Sequence, residues 1–349
     1  MFYLPNLCGG GAERVSINIL NRLNREKYEL HLVLGIMEGE ALHLLPQDIY
    51  VHNLDSARTI YSLFKLRKKI KEIAPDIVFS SLYRTHIALY FSLKTLIKKP
   101  KTILRMPSSP KLVFKYNEMS RAFKILLDMA LKKADLVIAQ TPEMKNEICK
   151  YHGINKNKIE VFINPLDTKM IDKKSSSTVS LFDKNYINIV ASGRLSHEKG
   201  YDILLKAFSK VYQKDSKYRL YIIGADNANE MDKYQEIIKE HSLYDVVKFL
   251  GFQENPYSFY KHCDLFVLSS RREGLPNTVL ENLYLKKPVV ATRCIPFMEE
   301  LIKDGENGFL VDVENIEQLA NAILNFKNLS GSRGFINESI LLNRDIFAI

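Results

Sequence analysis

The feature that most constrains this chain is an alternation that runs through it twice. Short apolar, β-branched runs alternate with longer amphipathic segments. In the first half, 29–34, 76–80, 101–105 and 135–139 read as strands. Residues 63–73, 86–97 and 120–133 read as helices, the first of them stopped by Pro75. In the second half the strands are 187–192, 218–224, 246–250, 265–269 and 288–292, and the helices 202–212, 231–241 and 278–285. Strand–helix–strand units of this kind imply parallel sheets with helices on both faces. The expected fold class is α/β, two doubly wound Rossmann-like domains facing across a cleft, with ligands beyond the carboxyl ends of the strands. The polar run 172–178 is the natural linker. The expected domains are an N-terminal one over 1–170, a linker over 171–184, a C-terminal one over 185–330 and a tail over 331–349. Only Phe2, Tyr3 and Leu4 precede the first glycine cluster, so the first strand is expected to be short or truncated.

Composition narrows the partners. With 46% hydrophobic residues the chain is globular rather than disordered. No apolar window approaches the length of a membrane span, and no signal peptide is visible. Cys8, Cys149, Cys263 and Cys294 lie far apart without a C-x-x-C pair, which supports neither a disulfide scaffold nor a structural zinc site. A reducing, cytoplasmic location fits, with peripheral attachment to the inner face of the cell membrane. The net charge of +10 is one-sided: residues 58–133 carry 18 Lys/Arg against 4 Asp/Glu. Lys65, Arg67, Lys68, Lys69 and Lys71 form one cluster, and Lys94, Lys98, Lys99 and Lys101 another. A solvated helix face accounts for such charge without any partner. Apolar residues interleave with it, as in Leu112-Val113-Phe114, and this favours an anionic membrane surface. No RNP, zinc-finger or basic-zipper pattern accompanies the charge, so nucleic acid is not expected.

Three loops carry the chemistry. Ser269 to Asn282 follows a buried strand and opens a helix. It holds Glu273 and Glu281, with Gly274 permitting close backbone approach and Pro276 fixing the turn. Carboxylates at this spacing can accept hydroxyl hydrogen bonds from a polyhydroxylated ligand, although two glutamates eight positions apart are common on surface loops. Residues 191–200 also run from strand to helix. There Gly193 and Gly200 bracket Arg194 and Lys199, a fork and a point charge suited to a diphosphate at a helix N-terminus. Gly9, Gly10 and Gly11, at the start of the first long helix, let backbone amides approach a phosphate or sugar. The cluster is not a Walker loop, because no Lys-Ser/Thr follows it.

In this order the three loops resemble those of the retaining glycosyltransferases of family four, which have the GT-B fold. The matching elements are Gly10-Gly11-Ala12-Glu13, Gly193-Arg194…Lys199-Gly200 and Glu273-Gly274-Leu275-Pro276…Glu281. Asn164-Pro165-Leu166-Asp167 and Asp304-Gly305-Glu306-Asn307-Gly308 match as well, so the resemblance covers nearly the whole chain. It implies that Arg194 and Lys199 bind the donor diphosphate and stabilise the leaving group. Glu281 is then expected at the ribose, and Glu273 at the transferred sugar and its developing charge. Gly10 and Gly11 are expected under the diphosphate–sugar junction, and the backbone at Gly274, Leu275 and Asn277 at sugar hydroxyls and phosphate. Many family members place a histidine near the donor sugar. Here Arg84 stands near that position, His86 two residues on, and Arg105 ends the next strand; all three are candidates for the substrate site.

The implied activity is transfer of a hexose or N-acetylhexosamine, with retention, from a nucleotide sugar. A UDP-sugar is the expected donor. The expected acceptor is a saccharide or polyprenyl-linked saccharide in surface polysaccharide assembly. No metal and no cofactor are implied, the nucleotide sugar being a substrate. A nucleotide-sugar 2-epimerase on the same fold and a non-catalytic nucleotide-sugar-binding protein are the alternatives.

Overall fold

Each half of the chain is built on one parallel sheet, and the chain divides between Pro165 and Leu166. The computed structural model describes residues 1–8, 11–56, 58–59, 61–115, 119–177, 179, 181–226 and 228–330. The first unit contains β1 (Phe2–Leu4), β2 (His31–Leu34), β3 (Tyr50–Asn53), β4 (Ile77–Ser80), β5 (Lys101–Arg105), β6 (Leu136–Ala139) and β7 (Ile159–Val161). They lie in the order β3-β2-β1-β4-β5-β6-β7. Its helices are α1 (Gly11–Arg22), α2 (Leu63–Ile73), α3 (Tyr83–Leu93), α4 (Pro110–Lys115), α5 (Arg121–Lys133) and α6 (Pro142–His152).

Although β1 is only three residues long, it sits in the middle of this sheet. Phe2 is in register with Leu32 on one side and Phe79 on the other. Burial on both faces makes so short a strand sufficient. Tyr3 joins Val33, Val78, Leu104 and Val137 in a layer with Leu66 and Ile70 of α2, Leu89 of α3 and Leu127 of α5. Its neighbours Phe2 and Leu4 join Leu32, Phe79, Ile103 and Ile138 against Val15, Ile19 and Leu20 of α1. Successive strand residues thus feed opposite layers, as the two-residue period requires. The helix ends follow local chemistry. Ala74, left-handed at φ 48°, ends α2 just before Pro75, and the Ser120 hydroxyl caps α5 by accepting from the Phe123 amide.

The second unit repeats the plan. Its strands are β8 (Ile187–Ser192), β9 (Tyr218–Ile223), β10 (Val247–Phe249), β11 (Leu265–Leu268), β12 (Val289–Thr292) and β13 (Gly308–Val311). Its helices are α7 (Thr168–Ser175), α8 (Tyr201–Lys214), α9 (Met231–Glu240), α10 (Pro256–His262), α11 (Asn277–Tyr284), α12 (Met298–Leu301) and α13 (Ile316–Asn325). The strand order is β10-β9-β8-β11-β12-β13. In both units the first strand of the unit lies next to the fourth, so the order reverses there. That reversal is the topological switch point beside which doubly wound sheets bind ligands.

The boundary differs from the expected one. The second unit begins at Leu166, and residues 168–175, partly assigned to a linker, are helix α7. The Asp167 carboxylate caps α7 by accepting from the Met170 amide at 3.0 Å. Ile171 is 1% exposed, Asn255 donates to the Lys174 carbonyl at 2.9 Å, and Tyr284 donates to Asp172 at 2.8 Å. A two-turn helix with one buried apolar residue has too short a period to stand out from a polar linker. Residues 178 and 180 of the expected linker and the tail over 331–349 lie outside the described residues.

Removing the cap tests this boundary. Asp167→Ala should cost about 1 kcal/mol and speed amide exchange across 168–175 while leaving β8–β13 protected. Unchanged exchange there would contradict an anchored helix.

Candidate functional site

At the switch point of the second unit, the loops after β8 and β11 lie side by side and are tied together. The Lys199 ammonium meets Glu273 Oε1 at 2.7 Å, and the Ser270 hydroxyl donates to the same oxygen at 2.7 Å. The Ser269 hydroxyl donates to the Lys199 carbonyl at 2.9 Å. Two of the residues expected at the diphosphate and the sugar are therefore neighbours. Lys199 has three N–H donors and uses one on Glu273. Glu273 Oε2 has no hydrogen-bond partner among the described residues.

Glycines let these loops approach. Gly200 is left-handed at φ 63°, and a Cβ there would stand 2.2 Å from the Ser269 carbonyl oxygen. A Cβ on Gly224 would stand 1.9 Å from the Gly193 carbonyl oxygen, which accepts from the Tyr201 hydroxyl at 2.9 Å.

Arg271 forms the second tie. It donates to both carboxylate oxygens of Asp202 at 2.8 and 2.9 Å, to Glu314 at 2.8 Å and to the His197 carbonyl at 2.8 Å. Asp202 opens α8, so this fork fixes the end of the first loop to the second. Burial pushes the Asp202 carboxyl up, yet the hydrogen bonds and charge of Arg271 hold it below the usual range. Hydrogen bonding to Asp202 raises the Arg271 guanidinium well above its ordinary value. Arg272 pairs with Glu198 at 2.7 Å. Arg194, by contrast, is exposed and makes no hydrogen bond or ion pair among the described residues. Glu281, on α11, is 2% exposed, and the Tyr257 hydroxyl donates to its Oε1 at 3.4 Å. Leu275 is buried, while Gly274 and Asn277 are half-buried at the entry to the same helix. Beside this network, burial pushes the Cys294 thiol up to about 12, so it stays neutral.

The first unit also gathers polar groups at the carboxyl ends of its strands. The Ser16 hydroxyl of α1 meets that of Ser81, after β4, at 2.9 Å. Arg105 ends β5 and is 2% exposed. Its Nη2 donates to Asn164 Oδ1 at 2.5 Å, while Nε and Nη1 are buried without a partner among the described residues. Burial lowers its guanidinium to about 10. Asn164 donates to Gln140, which follows β6 and donates to the carbonyls of Met106 and Pro107 at 2.8 and 2.9 Å. Gly11 opens α1, and a Cβ there would meet nothing within 4 Å among the described residues. The chain's own packing does not require glycine at that position. Gly10 lies outside the described residues.

His86 departs from expectation. Helix α3 begins at Tyr83, three residues earlier than the sequence suggests, and His86 lies on its inner face with Leu89 and Leu93, three and seven positions on. It is 0% exposed, and its ring is fully engaged. Nε2 donates to the Arg105 carbonyl at 3.1 Å, which leaves Nδ1 to accept from the Ser80 hydroxyl at 2.9 Å. Burial drops its pKa to about 3, so the ring is neutral. It is a buried support for the end of β5 rather than a substrate ligand. Arg84, two residues earlier and so on the opposite, outer face, is exposed and makes no hydrogen bond among the described residues.

Sequence reasoning missed Ser270, the Arg271–Asp202 fork and Gln140. The available signal was a polar residue directly after a buried strand, as at Ser269-Ser270 and Gln140. Among the described residues, no group of three or more His, Cys, Asp or Glu is placed to hold a metal ion. No helix among them is long and apolar enough to cross a membrane.

The model for glycosyl transferases group 1 matches residues 172–338, and that for glycosyltransferase family 4 matches residues 9–170. The chain is 28% identical over 326 residues to N-acetylgalactosamine-N,N'-diacetylbacillosaminyl-diphospho-undecaprenol 4-alpha-N-acetylgalactosaminyltransferase of Campylobacter jejuni, covering 90% of this chain and 86% of that one. It is 25% identical to the lipopolysaccharide core biosynthesis glycosyltransferase LpsE of Rhizobium meliloti, covering 90% and 84%. Among solved structures, Anabaena HepE in complex with UDP and glucose superposes with a TM-score of 0.77 at 23% identity, covering 93% and 88%. WaaG, a glycosyltransferase involved in lipopolysaccharide biosynthesis, gives 0.74 at 13% identity, covering 97% and 91%. These likenesses show the GT-B fold.

The buried histidine makes a pH prediction. Its folded pKa lies below the ordinary value of 6.5, so acid favours the unfolded chain, which takes the proton first. Stability should fall from about pH 6.5 towards pH 3, with His86 contributing up to about 1.4 kcal/mol per pH unit. Urea melts at pH 6, 5 and 4 should show a shallower loss in His86→Gln than in the parent. Parallel losses would contradict a neutral His86 in the folded state.

Proposed function

Because this chain belongs to the family-4 glycosyltransferases, built on the GT-B fold, we propose that it transfers a hexosyl or N-acetylhexosaminyl group from a UDP-sugar, with retention at the anomeric carbon, to a polyprenyl-linked saccharide. The observation that carries the reading is the Lys199–Glu273–Ser270 network beside the uncommitted Arg194 at the β8/β11 switch point. Cations and a carboxylate stand together there, as a leaving diphosphate and a sugar with developing positive charge require. Arg194 offers its fork to the diphosphate, and Lys199 adds a second cation through donors it does not spend on Glu273. As the glycosidic bond to the donor phosphate breaks, negative charge grows on the departing UDP and is met by these two side chains. Glu273, held by Lys199 and Ser270, keeps Oε2 for the sugar. Glu281 takes the ribose hydroxyls, and the backbone from Gly274 to Asn277 faces sugar and phosphate. In the first unit, Gly10, Gly11, Arg84 and Arg105 belong to the substrate side. The positive charge that meets the leaving group comes from Arg194 and Lys199 rather than from a metal.

The donor class is supported by HepE, whose structure is in complex with UDP and glucose, and the acceptor class by the Campylobacter jejuni relative, whose name includes a diphospho-undecaprenol saccharide. The basic region 58–133 supports a lipid-borne acceptor at an anionic membrane. It exposes Tyr61, Phe64, Ile97 and Ile125 among its lysines.

Incubation with UDP-sugars and polyprenyl-linked saccharide should release UDP and extend the saccharide. Arg194→Ala and Glu281→Ala should each lower that rate by about a hundredfold or more, and full activity in the double variant would overturn the role assignments. Without acceptor, product analysis should show no 2-epimer of the donor sugar; its appearance would favour the epimerase. Gly11→Ala should leave stability unchanged or raise it by up to about 1 kcal/mol while lowering turnover. Unchanged turnover would remove Gly11 from the substrate site.

A further inference from the structure

Away from the strand ends that face substrate, the first unit holds a cavity of about 410 Å³ between α3 and α5. It lies at the opposite edge of the sheet: Lys101 and Thr102 open β5, and Asp135 immediately precedes β6. Its floor is mostly apolar, formed by Leu89, Leu93, Leu104 and Ala134, each at most 6% exposed, with the buried His86, both of whose ring nitrogens are already bonded, beside them. Its rim carries Lys94, Lys99, Lys101 and Lys133, all exposed. None of these four ammonium groups makes a hydrogen bond or ion pair among the described residues. The carboxylate on the lining, Asp135, is taken by the Thr102 amide at 2.7 Å and hydroxyl at 3.0 Å. Ile97, between the rim lysines of the turn after α3, is fully exposed, and Ile125 and Met129 of α5 are 58% and 37% exposed.

We propose that this cavity is an anchoring site for an anionic phospholipid of the membrane, with acyl carbons on the Leu89–Leu93–Leu104 floor and the headgroup phosphate among the four lysines. Two features together select this occupant. Four lysines outside any ion pair among the described residues, against the one lining carboxylate of Asp135, leave the mouth with a positive excess that attracts a phosphate and repels another basic surface. An apolar floor gains only from hydrocarbon, so a free phosphate or a nucleotide leaves it unused. The cavity volume lies within the range of small-molecule sites. A lipid held here is not the reacting one, because the cavity opens at the amino-terminal edge of β5 while Arg105 and the polar strand ends lie at the other. The proposal deepens the membrane reading of the basic region and rests on that reading. It does not depend on which sugar is transferred.

The test uses the full chain, alkyl phosphates of increasing length and vesicles. Calorimetry should show one saturable site whose affinity rises from ethyl to octyl phosphate, by up to about fourfold per methylene. Inorganic phosphate and a neutral octyl glycoside should bind at least tenfold more weakly than octyl phosphate. Lys94→Glu combined with Lys133→Glu should weaken octyl phosphate at least tenfold and release the protein from vesicles of phosphatidylcholine with phosphatidylglycerol. Lys156→Glu combined with Lys184→Glu, the same charge change on exposed lysines outside the cavity, should retain both. Equal binding of inorganic phosphate, equal binding of the octyl glycoside, or equal losses in the two double variants would overturn the proposal. UDP binding, measured on the same samples, separates the two readings. In the unsubstituted protein, octyl phosphate binding without UDP binding counts against the donor site, and UDP binding without octyl phosphate binding counts against the lipid site.

Discussion

The bond between Lys199 and Glu273 is the contact on which the candidate site rests. Their residues come from loops that leave two adjacent strands, β8 and β11, where the sheet reverses its winding. Neither loop alone has a fixed shape that places a cation and a carboxylate together. Three features bring them close: Gly200, where a side chain would strike the Ser269 carbonyl; the Ser269 hydroxyl on the Lys199 carbonyl; and the Arg271 fork on Asp202. The ion pair is half-buried, which keeps water from screening it fully and holds both groups oriented before any ligand arrives. Such preorganisation is what electrostatic catalysis of a leaving diphosphate needs, since the protein then does no reorganising as charge develops.

Much of this was legible in the sequence. The strands 101–105 and 187–192 and the helix 63–73 coincide with the observed elements, because each is a clean apolar run or a clean amphipathic stripe with a stop signal. Three of the expected site residues in the second unit, Lys199, Glu273 and Glu281, gather around the loops after β8 and β11, with Arg194 uncommitted at the edge. Short elements without an apolar run were not legible. Tyr50–Asn53 is an edge strand whose side chains are half-exposed, so it lacks an apolar run, and α7 shows one buried apolar residue among polar ones. His86 shows how a boundary shift becomes a functional error. The helix begins a turn earlier than expected, so His86 is not at its exposed start but on the buried face with Leu89 and Leu93, and a residue expected at a substrate site belongs to the core.

The two polar edges differ in character. In the second unit, charge is paired in advance and one arginine is left uncommitted. In the first, the buried groups are mostly neutral hydroxyls and amides, with Arg105 the buried cation among them and only one of its three nitrogens bonded. A guanidinium kept charged at that depth costs stability that its single amide partner does not recover. Stability alone gives no reason for it, and a substrate-side role does.

The most direct measurement is the structure of the protein with UDP bound. The account places the diphosphate within hydrogen-bond distance of Arg194 and Lys199, and the ribose hydroxyls on Glu281. A nucleotide seated away from the loops after β8 and β11, or one that leaves Arg194 and Glu281 untouched, would contradict it.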